Sequence, residues 1–288
     1  FTEKKEREAF VPEDAMDQAF GPALILTPNQ EKVFKKLTSA IDANRFQTFL
    51  LHGVTGSGKT EIYIRCIQRI LEMGKTAIMM VPEISLTPQT VERFRQRFGD
   101  RVAILHSGLS QTERFLEWKK IRDEKVSIAV GARSAVFAPF KNLGMIVIDE
   151  EHDGSYKQDS NPRYHARDTA VMRARAMKAV VLMGSATPSL ESIQNTRLKK
   201  YSYLSLENRI GESMLPLISL VDMRTERKKF KNFSILSGIL RKAIRDRLSR
   251  NEQVFLFLNR RGTARFVFCP DCGYVLECAH CSVTLTFH

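Results

Sequence analysis

The sequence predicts an α/β fold built on a doubly wound parallel sheet. Between residues 48 and 187 six short apolar runs, "TFLLHG", "TAIMMVP", "VAILHS", "VSIAVG", "MIVIDE" and "AVVLMGS", recur with helical patterns between them. The runs lack apolar–polar alternation, which marks strands buried on both faces, and helical crossovers make consecutive strands parallel. Each run ends in a small or charged residue. Gly53, Pro82, His106, Gly131, Asp149 and Gly184 therefore fall near the carboxyl ends of strands, where such sheets bind ligands.

Taken in order, the opening "FTEKKEREAFVPEDAMDQAF" has neither an apolar period nor a signal-peptide core, and residues 1–23 read as a linker cut from a longer protein. Thr27 and Pro28 in "LTPNQ" open a helix. Gln30 in that stretch either reads an adenine edge through paired hydrogen bonds or serves as a polar residue of the first turn, and its residue type leaves both open.

The strand "TFLLH" delivers "GVTGSGKT": Gly53, Val54, Thr55, Gly56, Ser57, Gly58, Lys59 and Thr60. The glycines let backbone N–H groups turn inward as an anion nest, Lys59 places a cation at the β and γ phosphates, and the Thr60 hydroxyl suits Mg²⁺. A strand before and a helix, "EIYIRCIQRILE", after are the context this phosphate loop needs. Cys66 on that helix reads as a core residue rather than a nucleophile.

After the second strand, Ser85 and Thr87 either cap the helix "PQTVERFRQRF" or hold a phosphate, since both uses draw on the same helix end. Trp118 in "ERFLEWKKI" is expected to pack its helix onto the sheet. His106 and His165 lack metal-ligand spacing with the cysteines. "MIVIDEEH" ends a strand in Asp149, a carboxylate for the metal, and Glu150, placed to orient and deprotonate an attacking water.

"SYKQDSNPRYHARD", Ser155 to Asp168, is too polar and broken for a long strand. Tyr156 and Tyr164 are candidates to stack on bases, and Lys157, Arg163 and Arg167 to meet phosphates, the combination single-strand binding uses. The bland alternative is two tyrosines packing a helix start.

After about residue 205 the pattern weakens, then resumes with an amphipathic helix carrying Ile235, Leu236, Ile239, Leu240, Ile244 and Leu248, followed by a strand "VFLFL" at 254–258. Residues 213–268 read as the opening of a second lobe. The net charge of +13 attracts polyanions, and residues 220 to 262 hold twelve Lys or Arg against four Asp or Glu. No run of 18 apolar residues exists to span a membrane. Four of the five cysteines, Cys269, Cys272, Cys278 and Cys281, form two CxxC pairs, which suits a reducing, cytosolic compartment. Four thiolates match tetrahedral zinc, yet "GYVLE" between the pairs is shorter than the spacer of a ribbon that folds back to close one site.

Together "GVTGSGKTE", "VPEISLTPQT", "VGARSAVFAPF", "DEEH", "GSATPS", "FLNRRG" and the cysteine run resemble the motifs of superfamily 2 helicases, most closely those of bacterial replication-restart helicases, over residues 24–288. The resemblance implies a RecA-like P-loop NTPase with residues 24–212 as the first, ATP-binding lobe. It implies a cytoplasmic, nucleoid-associated, monomeric enzyme that uses ATP and Mg²⁺ to move 3′ to 5′ on single-stranded and forked DNA. It would recognise stalled forks and work with single-strand-binding protein and other primosome proteins. Asp149 would bind Mg²⁺, Glu150 would be the catalytic base beside Lys59, and His152, Ser185 and Thr187 would couple hydrolysis to lobe movement. Ser85, Thr87, Gln89 and Arg133 would grip the DNA backbone, and residues 155–168 would match an aromatic-rich DNA-sensing loop, with Pro162 where a large aromatic is expected.

The same resemblance implies two zinc ions shared with later CxxC pairs. Residues 269–288 would then be the first part of a cysteine-rich insertion, Cys269 and Cys272 half of one site and Cys278 and Cys281 half of another. An arginine finger belongs to a late second-lobe motif, so this chain is expected to bind ATP weakly, hydrolyse it slowly and not unwind alone. Another superfamily 2 translocase, or a non-enzymatic nucleotide-switched DNA-binding module, shares the phosphate motifs and stays open on the residues alone.

Overall fold

Helix α1 (Pro28–Asp42) starts where Thr27 and Gln30 cap each other: the Thr27 hydroxyl accepts from the Gln30 amide and Gln30 Oε1 accepts from Thr27 N at 2.9 Å. Its Val33, Leu37, Ala40 and Ile41 recur at helical spacing and are buried. The computed structural model describes residues 25–86, 88–210, 217–230 and 234–257. The expected linker over 1–23 and the four paired cysteines lie outside the described residues. The chain divides into two units, Phe1–Leu215 and Pro216–His288.

The first unit alternates strand and helix: β1 (Gln47–Gly53), α2 (Lys59–Glu72), β2 (Thr76–Met80), α3 (Pro88–Phe98), β3 (Val102–Leu105), α4 (Gln111–Arg122), β4 (Ile128–Gly131) and β5 (Leu143–Ile148). A two-stranded hairpin, β6 (Lys157–Gln158) with β7 (Tyr164–His165), interrupts before α5 (Ala166–Ala176), β8 (Val180–Ser185), α6 (Leu190–Arg197) and β9 (Ser202–Leu206). Seven strands form one parallel sheet in the order β3-β4-β2-β5-β8-β1-β9. All six apolar runs are strands of it.

Successive side chains feed opposite faces. Phe49, Leu51, Met79, Met145 and Val147 pack with α1, α2 and α3, whereas Leu50, Ile78, Ile146, Ile148 and Met183 pack with α5. The seventh strand, β9, escaped the sequence because "SYLSL" lies at the sheet edge, where only Leu204 and Leu206 are buried, so it shows no continuous apolar run.

Trp118 corrects one expectation. Helix α4 buries only Ile121, and the Trp118 ring stays 38% exposed with the Arg122 guanidinium 5.6 Å from its centre. The helix follows the sheet's other edge strand, so little sheet surface is available to it.

In the second unit α7 (Met223–Phe230) precedes α8 (Gly238–Leu248), whose N-cap Ser237 accepts from Leu240 N at 3.1 Å. The Glu226 carboxylate accepts from Gly238 N at 2.7 Å. The expected helix thus begins after Ile235 and Leu236, and no α8 residue is buried among the described ones. Residues 254–257 form no strand, with Phe255 92% exposed. An apolar run becomes a strand only beside a partner ladder, and the described part of this unit supplies none.

Candidate functional site

The phosphate loop leaves β1 at Gly53 and enters α2 at Lys59. Gly56 and Gly58 take left-handed φ of +80° and +81°, which L side chains rarely adopt, and Ser57 N donates back to Val54 O at 3.1 Å. This turns successive N–H groups into one concavity. Lys59 Nζ donates to Gly53 O at 2.7 Å, and its side chain is buried over the loop.

Two neighbours hold the loop from outside. Gln30 Nε2 donates to Ser57 O at 2.9 Å while Oε1 takes the Thr27 amide, so both ends of the buried Gln30 amide are committed to protein. The helix-start reading of Gln30 is the one this geometry favours, with the added task of bracing the loop. From β9, Leu206 O accepts from Val54 N at 3.2 Å and Ile210 N donates to Gly56 O at 3.0 Å. A Cβ on Gly58 would lie 2.3 Å from Gln30 Nε2 and 2.6 Å from Ile210, so a side chain there would have to displace the Gln30 brace on top of the strained φ.

Residues 55–61 line a cleft of about 740 Å³ together with Asp149 and Glu150, so the sheet brings the two motifs together as expected. Arg93, Gln96 and Arg97 of α3 and Ile210 also line it. None of these four was singled out from the sequence, because a helix inside "PQTVERFRQRF" gives no local sign of which arginine faces a neighbouring loop.

Asp149 is held at both ends. Its N–H donates to Met80 O at 2.9 Å, its Oδ1 accepts from the Tyr63 hydroxyl at 3.0 Å, and its carbonyl accepts from the Tyr156 hydroxyl at 2.7 Å. Burial, and then the charge of Glu150, push its pKa above its ordinary value against the opposing pull of Tyr63 and Lys59. A carboxylate uneasy as an anion, with Thr60 on the same cleft, gives the hard-oxygen donor set that suits Mg²⁺ on a nucleotide held by the loop.

Glu150 occupies a left-handed turn, φ +44°, which swings it off the strand direction. His152 Nδ1 lies 3.6 Å from Glu150 Oε2 and 2.8 Å from Ser185 Oγ, and Nε2 lies 3.5 Å from Thr187 Oγ1. Ser185 Oγ also accepts from Thr187 N at 2.9 Å, so one hydroxyl joins His152 to the backbone beyond β8. The three residues expected to couple hydrolysis to movement are in contact.

Glu151, passed over in the sequence, is fully buried and centres a second network. Oε1 accepts from Ser189 N at 2.7 Å, and Oε2 accepts from Ser189 Oγ at 3.0 Å, Ser192 Oγ at 2.8 Å and Arg167 Nη1 at 3.0 Å. Here two expectations fail. Arg167 is not a phosphate contact: its guanidinium is buried against Glu151, since α5 starts at Ala166 and turns its first residues toward the sheet. Tyr156 cannot stack on a base: it is fully buried, with its hydroxyl under Asp149. The bland alternative, a tyrosine packing the fold, holds for Tyr156.

Tyr164 is half-buried and meets the exposed Phe137 edge to face, centroids 5.1 Å apart. The aromatic surface beside the hairpin is therefore Tyr164 with Phe137, the latter from "VGARSAVFAPF". Arg133 Nη1 donates to Lys157 O at 2.7 Å and Ser155 O at 3.3 Å, which pins the hairpin's entry. Lys157 and Arg163 are exposed, and Lys157 pairs with Asp159 at 3.1 Å. Ser85 lies in the turn before α3, its carbonyl accepting from the Thr90 hydroxyl at 2.9 Å. Thr87 and the Gln89 side chain lie outside the described residues.

Cys66 is buried, and burial pushes its thiol pKa far up, as a core residue requires. Among the described residues no cluster of three or more His, Cys, Asp or Glu is arranged to hold a metal. Among the same residues no helix is long and apolar enough to cross a membrane.

Comparison with known proteins agrees with this geometry. A family model described as DEAD/DEAH box helicase matches residues 27–196. The replication restart protein PriA of Bacillus subtilis (strain 168) is 51% identical over 265 residues, covering 92% of this chain and 33% of the relative. PriA of Chlamydia pneumoniae is 46% identical, covering 91% of this chain and 35% of the relative. The chain spans about a third of the length of these curated relatives. Among solved structures, RecG bound to a three-way DNA junction superposes with a TM-score of 0.52 at 20% identity, covering 79% of this chain and 28% of RecG, a likeness of fold.

Proposed function

The chain belongs to the DEAD/DEAH box helicase family, and from that premise we propose that it is the ATP-binding lobe, with the start of the second lobe, of a replication-restart DNA helicase. The whole protein would move 3′ to 5′ on DNA, act at stalled or branched forks and support primosome assembly. One observation carries the reading: Lys59, Thr60, Asp149 and Glu150 line a single cleft, and Glu150 is in reach of His152 with Ser185 and Thr187 behind it.

Bound ATP with Mg²⁺ supplies the phosphoanhydride and the neutralising cation that phosphoryl transfer needs. The residues of this chain do the rest. The turned loop at residues 55–60 and the Lys59 ammonium would hold the phosphates, Thr60 and Asp149 would hold the metal, and Glu150 would orient the attacking water and take its proton. His152, Ser185 and Thr187 tie the position of Glu150 to the tip of β8. On the DNA side, Tyr164 with Phe137 offers a stacking surface, Ser85, Thr87, Gln89, Lys157 and Arg163 serve the phosphates, and Arg133, expected to grip the backbone itself, instead braces the hairpin through the carbonyls of Ser155 and Lys157.

We assign residues 24–212 to the first lobe, 213–268 to the start of the second and 269–288 to the first part of a zinc-binding insertion. In that insertion Cys269 with Cys272, and Cys278 with Cys281, each give half of a Zn²⁺ site. The proposed setting is the bacterial cytoplasm at the nucleoid, as a monomer, with single-strand-binding protein and other primosome proteins as partners. ATP turnover measured with and without forked DNA tests the reading. Expected are Mg²⁺-dependent ATP binding, slow hydrolysis raised by DNA, and no unwinding by these 288 residues alone. ATP binding with no DNA-stimulated turnover refutes the motor and leaves a nucleotide-controlled switch, while robust unwinding refutes the need for second-lobe residues other than these.

A further inference from the structure

Tyr63 belongs to no nucleotide motif, yet it is the residue through which three of them touch. It lies in the first turn and a half of α2, four residues after Lys59, with its ring fully buried. Its hydroxyl donates to Asp149 Oδ1 at 3.0 Å. The same hydroxyl passes against β8, where a Cβ on Gly184 would lie 1.6 Å from it and 2.7 Å from the ring carbon that bears it. Glycine at 184, in "GSATPS", is thus the condition for Tyr63 to reach the carboxylate at all. Thr60 and Tyr63 are three residues apart on α2 and lie on neighbouring faces, so the helix that offers one hydroxyl to the cleft offers another to Asp149.

A carboxylate on a strand tip rotates freely about its last bond unless a partner fixes it, and metal ligands are oriented by such partners. We propose that Tyr63 is a positioning residue of the magnesium site: its hydroxyl locks the rotation of Asp149 through Oδ1, presents Oδ2 to the cation, and ties that orientation to the tip of β8 at Gly184. The proposal deepens the nucleotide reading above and rests on it. The lock is mechanical and one-sided, since Tyr63 lies under Asp149 in the core and never meets nucleotide or water.

Tyr63→Phe removes the hydroxyl and keeps the buried ring. The test measures binding of a fluorescent ATP analogue to this chain at graded Mg²⁺, and again with Mg²⁺ chelated, beside far-ultraviolet circular dichroism as a check on folding. The expected result is an apparent Mg²⁺ affinity weakened about 10- to 100-fold, unchanged binding in chelator, and full recovery at saturating Mg²⁺. A folding defect would lower binding in chelator too and would not be repaired by metal, and that pattern overturns the proposal. Mg²⁺ affinity within about twofold of the unaltered chain overturns it as well while leaving the nucleotide reading standing. An unaltered chain whose ATP binding ignores Mg²⁺ overturns both. Mn²⁺ binding followed by electron paramagnetic resonance in the presence of ADP gives an independent measure, expected to weaken in parallel.

Discussion

Replacing Arg167 by alanine would leave the Glu151 carboxylate, fully buried, without the one cation that pairs with it among the described residues, the Arg167 side chain itself being 9% exposed. Burial works against the guanidinium charge, but the hydrogen bond and charge of Glu151 outweigh it and hold the Arg167 pKa above its ordinary value. Breaking one side of a buried pair costs about 3–5 kcal/mol because the remaining charge is uncompensated. Ser189 N, Ser189 Oγ and Ser192 Oγ still donate to Glu151 at 2.7, 3.0 and 2.8 Å, which places the cost near the lower end. For a domain of this size each kcal/mol moves Tm by roughly 2–4 °C. The expected loss is therefore about 6–12 °C, followed by circular dichroism on heating, and nearly independent of salt because the pair is shielded from solvent ions. The double variant Arg167→Met with Glu151→Gln should recover part of the loss, since no charge is then buried alone. A Tm within about 2 °C of the unaltered protein for Arg167→Ala would refute the view that Glu151 depends on this cation.

Three other perturbations probe separate features. Gly58→Ala puts a side chain at φ +81° and within 2.3 Å of Gln30 Nε2, so the loop or its Gln30 brace must shift; calorimetry should show ATP affinity reduced by about 5- to 150-fold, from backbone strain of roughly 1–3 kcal/mol. His165 caps α5 by accepting from Arg167 N at 3.3 Å, and burial, then the Arg167 charge, hold its pKa below the ordinary histidine value. A lowered histidine pKa means the unfolded chain binds the proton more readily, so the stability His165 contributes is present above about pH 6.5 and lost as pH falls below it. His165→Asn, another capping residue, should keep stability at pH 8 and flatten the Tm profile between about pH 5 and 6.5. Tyr164→Ala and Phe137→Ala should each lower DNA-stimulated ATP hydrolysis several-fold while sparing the DNA-independent rate. Equal loss of both rates would remove the aromatic pair from DNA sensing.

What could be read along the chain was whatever announces itself over a few neighbouring residues. Six strands buried on both faces were legible as apolar runs, and "GVTGSGKT" with "DEEH" marked the residues that meet in one cleft, because turn glycines, a cation and a strand-end acid are local necessities of the proposed phosphate site. β9 was not legible, since an edge strand with two buried leucines looks like a loop. The strand expected at residues 254–258 failed for the converse reason, an apolar run without a ladder partner among the described residues.

At the site the division follows the same physics. The residue types of Tyr156, Tyr164, Arg133 and Arg167 suited nucleic acid equally well, and only packing separated them. Tyr156 and Arg167 went under Asp149 and against Glu151, Arg133 went to the hairpin carbonyls, and Tyr164 stayed at the surface beside Phe137. Tyr63, Arg93 and Arg97 lie outside the quoted motifs and Glu151 sits unremarked inside "DEEH", and their places come from contacts between segments as much as 86 residues apart, as from Tyr63 to Asp149. The sequence by itself determined the parallel sheet and the chemistry of the phosphate loop, since local backbone and burial needs dictate residue type. Which polar side chains serve the cleft and which brace it from behind was decided by tertiary structure alone, because a buried hydroxyl or charge must find its partner wherever the fold brings one.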